Sequence, residues 1–373
     1  MYYSTVYVGM DVHKEKFVLC CYTNEKETAE YVQKTDGNYT SVLCYLNAMR
    51  RHYGEDVSFV CGYEAGCLGY TLYRDLVAHG VDCVILAPST MLQERSKRRI
   101  KTDQRDAALI ARCLAHHAYS PVHVPTMQDE QIKEFIRMRD DHKIALKKIK
   151  QQILAFCTRH NYRYSNGSSY WTQSHLKWLN ALSPEGLYQE VLTEYLITYR
   201  QLVDKLERLE QRILELANED AYAESVGKLT CFIGMKAITA LTILTEVGDL
   251  NRFPDAGHFA AYLGLIPGEH SSGGDRNGLG ITKAGNCRVR TLLVEAAQSY
   301  SRGAIGYKSK ALIARQAGND PNVIAFADRA NERLRRRFYH LVLRRNKNAN
   351  VAKTAVAREL ACFIWAMGTN HTA

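Results

Sequence analysis

The chain has 373 residues, 46% of them hydrophobic and 24% charged, which is a globular composition long enough for two or three domains. Its formal net charge of +10 favours a polyanionic partner. No apolar run approaches the roughly 20 residues of a membrane-spanning helix, and the N-terminus lacks the basic and then apolar pattern of a signal peptide. We therefore expect nucleic acid, and not a membrane, as the partner.

The 11 cysteines indicate a reducing compartment. None stands in a C-x-x-C spacing, and several lie inside apolar runs, as in Leu19-Cys20-Cys21 and Phe59-Val60-Cys61. An odd number scattered in this way is typical of reduced core thiols and not of a disulfide framework or a zinc site. The chain is therefore expected to be cytoplasmic.

Residues 1–125 alternate between strand and helix patterns. The predicted strands are Thr5–Met10, Lys16–Tyr22, Ala29–Gln33, Val57–Tyr63 and Val81–Leu86, and the predicted helices are Tyr39–Arg51, Cys67–His79 and Asp103–Leu114. Strands interleaved with helices indicate an α/β domain. Because the first strands follow one another through short turns, we expect a mixed sheet.

Residues 126–222 carry two long helical patterns, Gln131–His160 and Leu187–Asn218, separated by the Tyr- and Trp-bearing stretch Asn161–Ser174. In the second pattern, apolar residues recur every three or four positions and predict a coiled-coil-like seam: Leu202, Leu206, Leu209, Ile213 and Leu216. An antiparallel hairpin packing on itself is the simplest interpretation. A dimerisation arm or a nucleic-acid clamp is the alternative.

Residues 223–373 form a third predicted unit, which is mostly helical. It ends in a strongly basic helical tail, Ala325–Trp365, whose cations are Arg333, Arg335, Arg336, Arg337, Arg344, Arg345 and Lys347.

Four carboxylates in the first unit stand where a site is expected. Asp11 and Glu64 each close a predicted strand, and Asp103 and Asp106 project from one face at the start of a helix. Oxygen ligands of this kind bind Mg²⁺. A strand-end Asp, a strand-end Glu and a D-x-x-D helix start, in this order, match the ribonuclease H-like nuclease arrangement, in which two metal ions flank a scissile phosphate.

Each carboxylate also has an ordinary alternative. Asp11 could be a turn former or a helix cap, as an Asp after a strand usually is. Glu64 could be a solvated side chain, and Asp103 could cap its helix. His13 is expected to be a supporting or structural residue and not a metal ligand, since the site is already rich in oxygen donors.

Cationic residues surround these acids. Lys97, Arg98, Arg99 and Lys101 directly precede Asp103 and are predicted, with Arg105, to hold a phosphate backbone. A solvated surface is the alternative for such a charge run.

A second candidate region contains Ser271-Ser272-Gly273-Gly274. It is followed by Arg276, Lys283, Arg288 and Arg290, which suit a phosphate cradle near a helix N-terminus. An ordinary loop is the alternative, and a serine hydroxyl needs activation before it is an effective nucleophile.

The motifs together resemble a known family. Val8-Gly9-Met10-Asp11-Val12-His13-Lys14, Glu64-Ala65 and Lys101–Ala107 are similar to the DEDD transposases of the one-ten/eleven-eleven family of bacterial insertion sequences. So are Ala261–Leu265, Ser271-Ser272-Gly273 and Thr282-Lys283-Ala284-Gly285-Asn286. The resemblance spans both ends of the chain and leaves out mainly the middle helices.

This resemblance implies a RuvC-like domain at 1–125, a helical coiled-coil segment with an inserted loop at 126–222, and a second transposase domain at 223–373. In such proteins Asp11, Glu64, Asp103 and Asp106 would hold Mg²⁺, and the serine directly before glycine, Ser272, would form a covalent phosphoserine link with DNA; Ser271 is the alternative. The resemblance also implies donor and target DNA, a structured noncoding bridge RNA, dimers or tetramers, and a bacterial cytoplasm.

Two other functions stay open at this point. One is a RuvC-like nuclease or junction resolvase in which activated water attacks and the serine has no role. The other is a non-catalytic nucleic-acid-binding assembly factor, which the net charge suits equally well.

Overall fold

The computed structural model describes residues 4–66, 68–91, 102–272 and 275–371, with side chains from 269 to 278 left out of the description. The chain divides into two compact units, Met1–Val124 and Pro125–Ala373. Each is described separately below. The further division of the second unit at residue 222 stays a prediction.

The first unit contains the alternating strands and helices that the sequence predicts. Its strands are β1 (Thr5–Val12), β2 (Lys16–Tyr22), β3 (Ala29–Asp36), β4 (Ser58–Glu64) and β5 (Asp82–Leu86), and its helices are α1 (Tyr39–Tyr53), α2 (Thr71–Ala78) and α3 (Asp103–Ala115), with a 3₁₀ turn at Pro88–Thr90.

These strands form one mixed sheet in the order β3-β2-β1-β4-β5. The β1–β2 and β2–β3 pairs are antiparallel, whereas β4 lies parallel to both β1 and β5. The predicted mixed α/β sheet is confirmed, and the arrangement is consistent with a ribonuclease H-like fold.

The two faces of β1 have different neighbours. Val6, Val8 and Met10 are fully buried in the core that includes α1 and β4. The opposite face packs against α3, and Gly9 lies at the closest point. A Cβ on Gly9 would lie 2.0 Å from the carbonyl oxygen of Ala107 and 2.5 Å from the amide nitrogen of Ala111. Only a residue without a side chain lets the helix backbone come this close.

The second unit is mostly helical. It contains α4 (Met127–Arg159), α5 (Gln173–Ala181), α6 (Leu187–Ala217), α7 (Asp220–Thr230), α8 (Ala237–Val247), α9 (Ala256–Tyr262), strands β6 (Pro267–Ser272) and β7 (Asp275–Ile281), α10 (Cys287–Ala297), α11 (Lys310–Gln316), α12 (Pro321–Tyr339) and α13 (Ala349–Gly368). A π-helical turn, His340–Arg344, divides the basic tail that the sequence predicts as one helical stretch.

Helices α4 and α6 pack against each other along an apolar cluster that includes Ile153, Phe156 and Leu192. The Tyr- and Trp-bearing stretch between them contributes Tyr162 and Trp171 to the same cluster. The simplest interpretation of the two helical patterns therefore describes their packing, and the coiled coil stays a prediction. The larger core of this unit joins the ends of α4 and α6 to α7–α10, α12 and α13.

Among the described residues, no helix is long and apolar enough to span a membrane.

The contact at Gly9 gives the first testable prediction. Gly9→Ala forces α3 away from β1, because backbone atoms of α3 cannot rotate aside as a side chain can. We expect the free energy of unfolding, measured by urea denaturation, to fall by about 3 kcal/mol. Gly66→Ala is the matched control in the same unit, since its added Cβ would lie 3.8 Å from the nearest atom. Equal stability of the two variants would contradict the packing described here.

Candidate active site

Asp11 and Glu64 lie side by side at the same edge of the sheet. The last registered pair of the parallel strands β1 and β4 is Met10 with Tyr63, and Asp11 and Glu64 follow it directly. Because side chains alternate along strands, both acids project to the face opposite Met10, which is the face that α3 covers.

The N-terminus of α3 brings two more acids to this edge. Thr102 caps the helix, and its hydroxyl oxygen accepts a hydrogen bond from the Arg105 amide at 3.4 Å. The cap is therefore not Asp103, whose carboxylate stays available. Asp103 and Asp106 both lie in the first turn, where the helix dipole stabilises negative charge.

Three of the side chains lie close enough to share one cation. Ligand atoms of Asp11, His13 and Asp103 all lie within 4.8 Å of one another. His13 Nε2 is 3.2 Å from Asp11 Oδ2 and 4.0 Å from Asp103 Oδ1, so the imidazole lies between the two carboxylates. The sequence interpretation gave His13 no place among the ligands. Its position two residues after Asp11 is consistent with this closeness, because alternate residues of an extended chain share a face.

The electrostatics of Asp11 are unfavourable without a cation. Burial raises the pKa of its carboxyl; His13 opposes this, and the negative charges of Asp103 and Asp106 add to it. Asp11 Oδ2 is buried and, although His13 Nε2 lies 3.2 Å away, it is without a hydrogen-bond partner among the described residues. A buried acceptor left in this state costs free energy.

The carboxylates at this edge of the sheet have the charge and the spacing that suit a divalent cation. A cation bound at this edge would give Asp11 Oδ2 a partner and offset the repulsion between the carboxylates. The donor set of Asp11 and Asp103, with His13 beside them and Glu64 and Asp106 at the same edge, fits such an ion.

The candidate serines lie in the second unit on a β-hairpin. Ser271 and Ser272 end β6, and Ser272 is registered with Asp275 of β7. The ordinary-loop alternative therefore does not describe the backbone of these serines. Gly273 and Gly274 are outside the described residues, and nothing is described of the serine side chains.

The base of this hairpin is held tightly. Gly264 has a φ of +64°, and a Cβ on it would lie 2.1 Å from the carbonyl oxygen of Ala284. The Lys283 amide donates to the Gly264 carbonyl at 3.1 Å. Arg290 donates to the carbonyls of Leu263 and Ala284 at 2.8 and 3.1 Å. The two chain segments that lead into and out of the hairpin are thereby fixed to each other.

A buried acid extends this support into the helical core. The Glu246 side chain, 5% exposed, accepts hydrogen bonds from Arg137 at 3.1 and 3.2 Å and lies 3.5 Å from Arg288 Nε. Asn286, the N-cap of α10, donates to Glu246 at 3.4 Å. Arg288 also pairs with Asp140 of α4. Two residues of the segment after the hairpin, Asn286 and Arg288, are thus held by α4 and α8.

The predicted phosphate-binding cations have different surroundings. Lys97, Arg98, Arg99 and Lys101 lie outside the described residues, and the Arg276 side chain is not described. Arg105 and Lys283 are exposed. Arg288 and Arg290 donate within the protein, as described above, so the structure gives both of them internal partners that the sequence did not reveal.

Comparison with known families now adds to this geometry. Residues 8–161 match the family model for DEDD transposases of the IS110 type, whose description reads transposase. Residues 228–314 match the model described as transposase of the IS116/IS110/IS902 family. The first match contains all four acids and the second contains the hairpin with Ser272.

Individual relatives extend over nearly the whole chain. The protein y4qE of Sinorhizobium fredii is 33% identical over 98% of this chain and 89% of its own length. The transposase for insertion sequence element IS1533 of Leptospira borgpetersenii is 31% identical, covering 92% and 98% respectively. The transposase for IS1111A of Coxiella burnetii is 25% identical, covering 79% and 78%. The chain therefore belongs to the IS110 family of DEDD transposases, enzymes that act on DNA.

Proposed function

We propose that this transposase cuts and exchanges DNA strands through a covalent link to Ser272, with Asp11, Glu64, Asp103 and Asp106 holding Mg²⁺. The observation that carries the proposal is the convergence of Asp11 and Asp103, 92 positions apart in the sequence, on ligand atoms within 4.8 Å of each other. When bound there, Mg²⁺ would polarise phosphate oxygens and offset the charge that develops on them.

The proposed strand exchange has two steps, and in each of them one P–O bond forms while another breaks. The Ser272 hydroxyl oxygen attacks a DNA phosphorus, so one P–O bond to the serine forms while one phosphodiester P–O bond breaks. The serine loses its proton, and the departing DNA hydroxyl gains one. A hydroxyl of a second DNA strand then attacks the phosphoserine, which restores the serine and completes the exchanged strand.

The chain's own residues have distinct parts in this proposal. The carboxylates fix the cation against the sheet edge, and the tight base of the hairpin limits the positions that Ser272 can occupy. Exposed cations beside these elements, Arg105 and Lys283, would contact the phosphate backbone. Lys97, Arg98, Arg99, Lys101 and Arg276 are proposed for the same role, whereas the internal partners of Arg288 and Arg290 favour a supporting one.

A guide RNA and an assembly of two or four copies complete the proposal. Both come from the family resemblance, and the net charge of +10 is compatible with the RNA. If base pairing selects the target, the protein needs few base-reading side chains of its own. In a dimer or tetramer, Ser272 of one copy could serve the carboxylates of another.

The carboxylate site predicts opposite effects of one substitution in two conditions. In EDTA at neutral pH, Asp11→Asn should raise the free energy of unfolding, because it removes a partly buried charge beside two like charges. With Mg²⁺ or Mn²⁺ at 100 times its Kd, the wild type should gain about 2.7 kcal/mol and Asp11→Asn almost nothing. Thermal melting with and without the cation measures both.

Asp36→Asn is the matched control for this experiment. Asp36 is an exposed carboxylate of the same sheet, paired with Lys16 at 2.5 Å, so its loss should leave the cation response unchanged. A wild type that shows no stabilisation by either cation, or an Asp11→Asn variant stabilised as strongly as the wild type, contradicts the metal site.

The serine chemistry predicts a covalent product. With end-labelled donor and target DNA, Mg²⁺ and the RNA that co-purifies with the protein, the wild type should give protein–DNA adducts that survive denaturing gel electrophoresis. Ser272→Ala should abolish them and keep DNA binding, while Ser271→Ala should retain them.

Three outcomes of that reaction separate the alternatives. Cleavage by Ser272→Ala at the wild-type rate favours the water-activating nuclease. If adducts are lost in Ser271→Ala but retained in Ser272→Ala, the nucleophile is Ser271 and not Ser272. Recombination that continues unchanged after ribonuclease treatment removes the guide RNA from the proposal.

A further inference from the structure

The basic tail forms a surface that the proposed chemistry does not use. Helices α12 and α13 run antiparallel, since Phe326 contacts Phe363 while Arg333, further along α12, pairs with Glu359, earlier in α13. Their inner faces belong to the main helical core of the second unit.

Residues of both helices line an open groove of about 930 Å³, which we term the arginine cleft. Its cationic walls are Arg333, Arg336 and Arg337 from α12 and Arg358 from α13, with His340 and His371 at its margin.

Positive charge in the arginine cleft exceeds the negative charge available to balance it. Glu359 pairs with Arg333, and Glu332 pairs with Arg336. Arg337 and Arg358 are exposed, and among the described residues no carboxylate forms an ion pair with either one. Arg344 ends the π-helical turn that follows α12, Arg345 and Lys347 come after it, and all three are exposed. Like charges placed this close repel one another unless an anion lies between them.

The backbone at the end of α12 is also unusual. Residues His340–Arg344 form a π-helical turn, a rare conformation that occurs frequently at functional sites. The turn packs Leu341 and Val342 against the core and leaves His340 and Arg344 exposed. Within this turn His340 lines the arginine cleft, whereas Leu343 and Arg344 are exposed to solvent.

The chemistry of the arginine cleft selects its ligand. Guanidinium groups match phosphate oxygens in a forked geometry that favours binding of the phosphate backbone over many other anions. The arginines at positions 333, 336 and 337 form a row of positive charges along α12. Such a row suits a polyanion with regularly repeating phosphates. DNA is the polyanion on which the enzyme family acts.

We propose that the arginine cleft binds the sugar-phosphate backbone of duplex DNA, with Arg337 and Arg358 as its principal phosphate contacts. This binding depends on neither Ser272 nor the carboxylates. It is therefore measured in EDTA with uncleaved DNA, where failure of the proposed strand exchange has no effect on the result.

The test compares two charge-matched double variants of the full chain, freed of co-purifying nucleic acid. Arg337→Gln with Arg358→Gln removes two cations of the cleft. Arg51→Gln with Arg208→Gln removes two exposed arginines on α1 and α6. Fluorescence anisotropy with labelled duplex DNA of random sequence gives Kd and its salt dependence, and circular dichroism checks that both variants are folded.

Counterion release sets the expected size of the effect. Each lost phosphate contact should weaken binding about fivefold at about 0.15 M salt and lower the slope of log Kobs against log salt by about 0.9. The cleft variant should therefore bind roughly 25-fold more weakly, with a slope lower by about 1.8, and the control variant within about threefold of the wild type. Equal losses in the two variants, or a loss seen only with duplex RNA of the same length, overturn the proposal.

Discussion

The close contact between α3 and β1 is the constraint on which the first unit depends. Because Gly9 has no side chain, the backbone of α3 can pack directly on β1 at this residue. A Cβ added to Gly9 would lie only 2.0 Å from the carbonyl oxygen of Ala107. This contact sets the height of the helix over the sheet. The first turn of α3 then lies at the edge where β1 and β4 end, and Asp103 comes within reach of Asp11.

The same contact has an electrostatic consequence. The Asp11 carboxylate is partly buried and lies near the negative charges of Asp103 and Asp106. One of its oxygens is without a hydrogen-bond partner among the described residues. These features cost stability in the metal-free protein, and binding of a divalent cation would offset the cost. Sites that tolerate such an arrangement are typically functional ones, where local stability is exchanged for affinity towards a ligand.

Local patterns in the sequence predict most of the first unit. Apolar, β-branched runs predict β1 and β4, and Thr102 before Asp103 marks the start of α3, so the sheet edge and the helix start could both be found. The supporting role expected for His13 stays a prediction; its closeness to Asp103 joins residues distant in sequence, which local patterns do not reveal.

The second unit was less predictable because its key contacts join residues distant in sequence. Arg288 looks like a free phosphate ligand until α4 and α8 bring Asp140 and Glu246 to it. Ser271 and Ser272 look like loop residues, since serine and glycine carry little strand propensity, yet pairing with β7 makes them part of a hairpin. In the π-helical turn that divides the basic tail, Leu341 and Val342 pack against the core, a contact that the local sequence does not reveal.

The most direct measurement of the central claim is the location of Mn²⁺ in crystals of the protein, by anomalous diffraction. The account predicts a peak at the sheet edge within coordination distance of both Asp11 and Asp103, at about 2.0–2.6 Å from their oxygens. A peak elsewhere, or none at a Mn²⁺ concentration that supports strand cleavage, would contradict it.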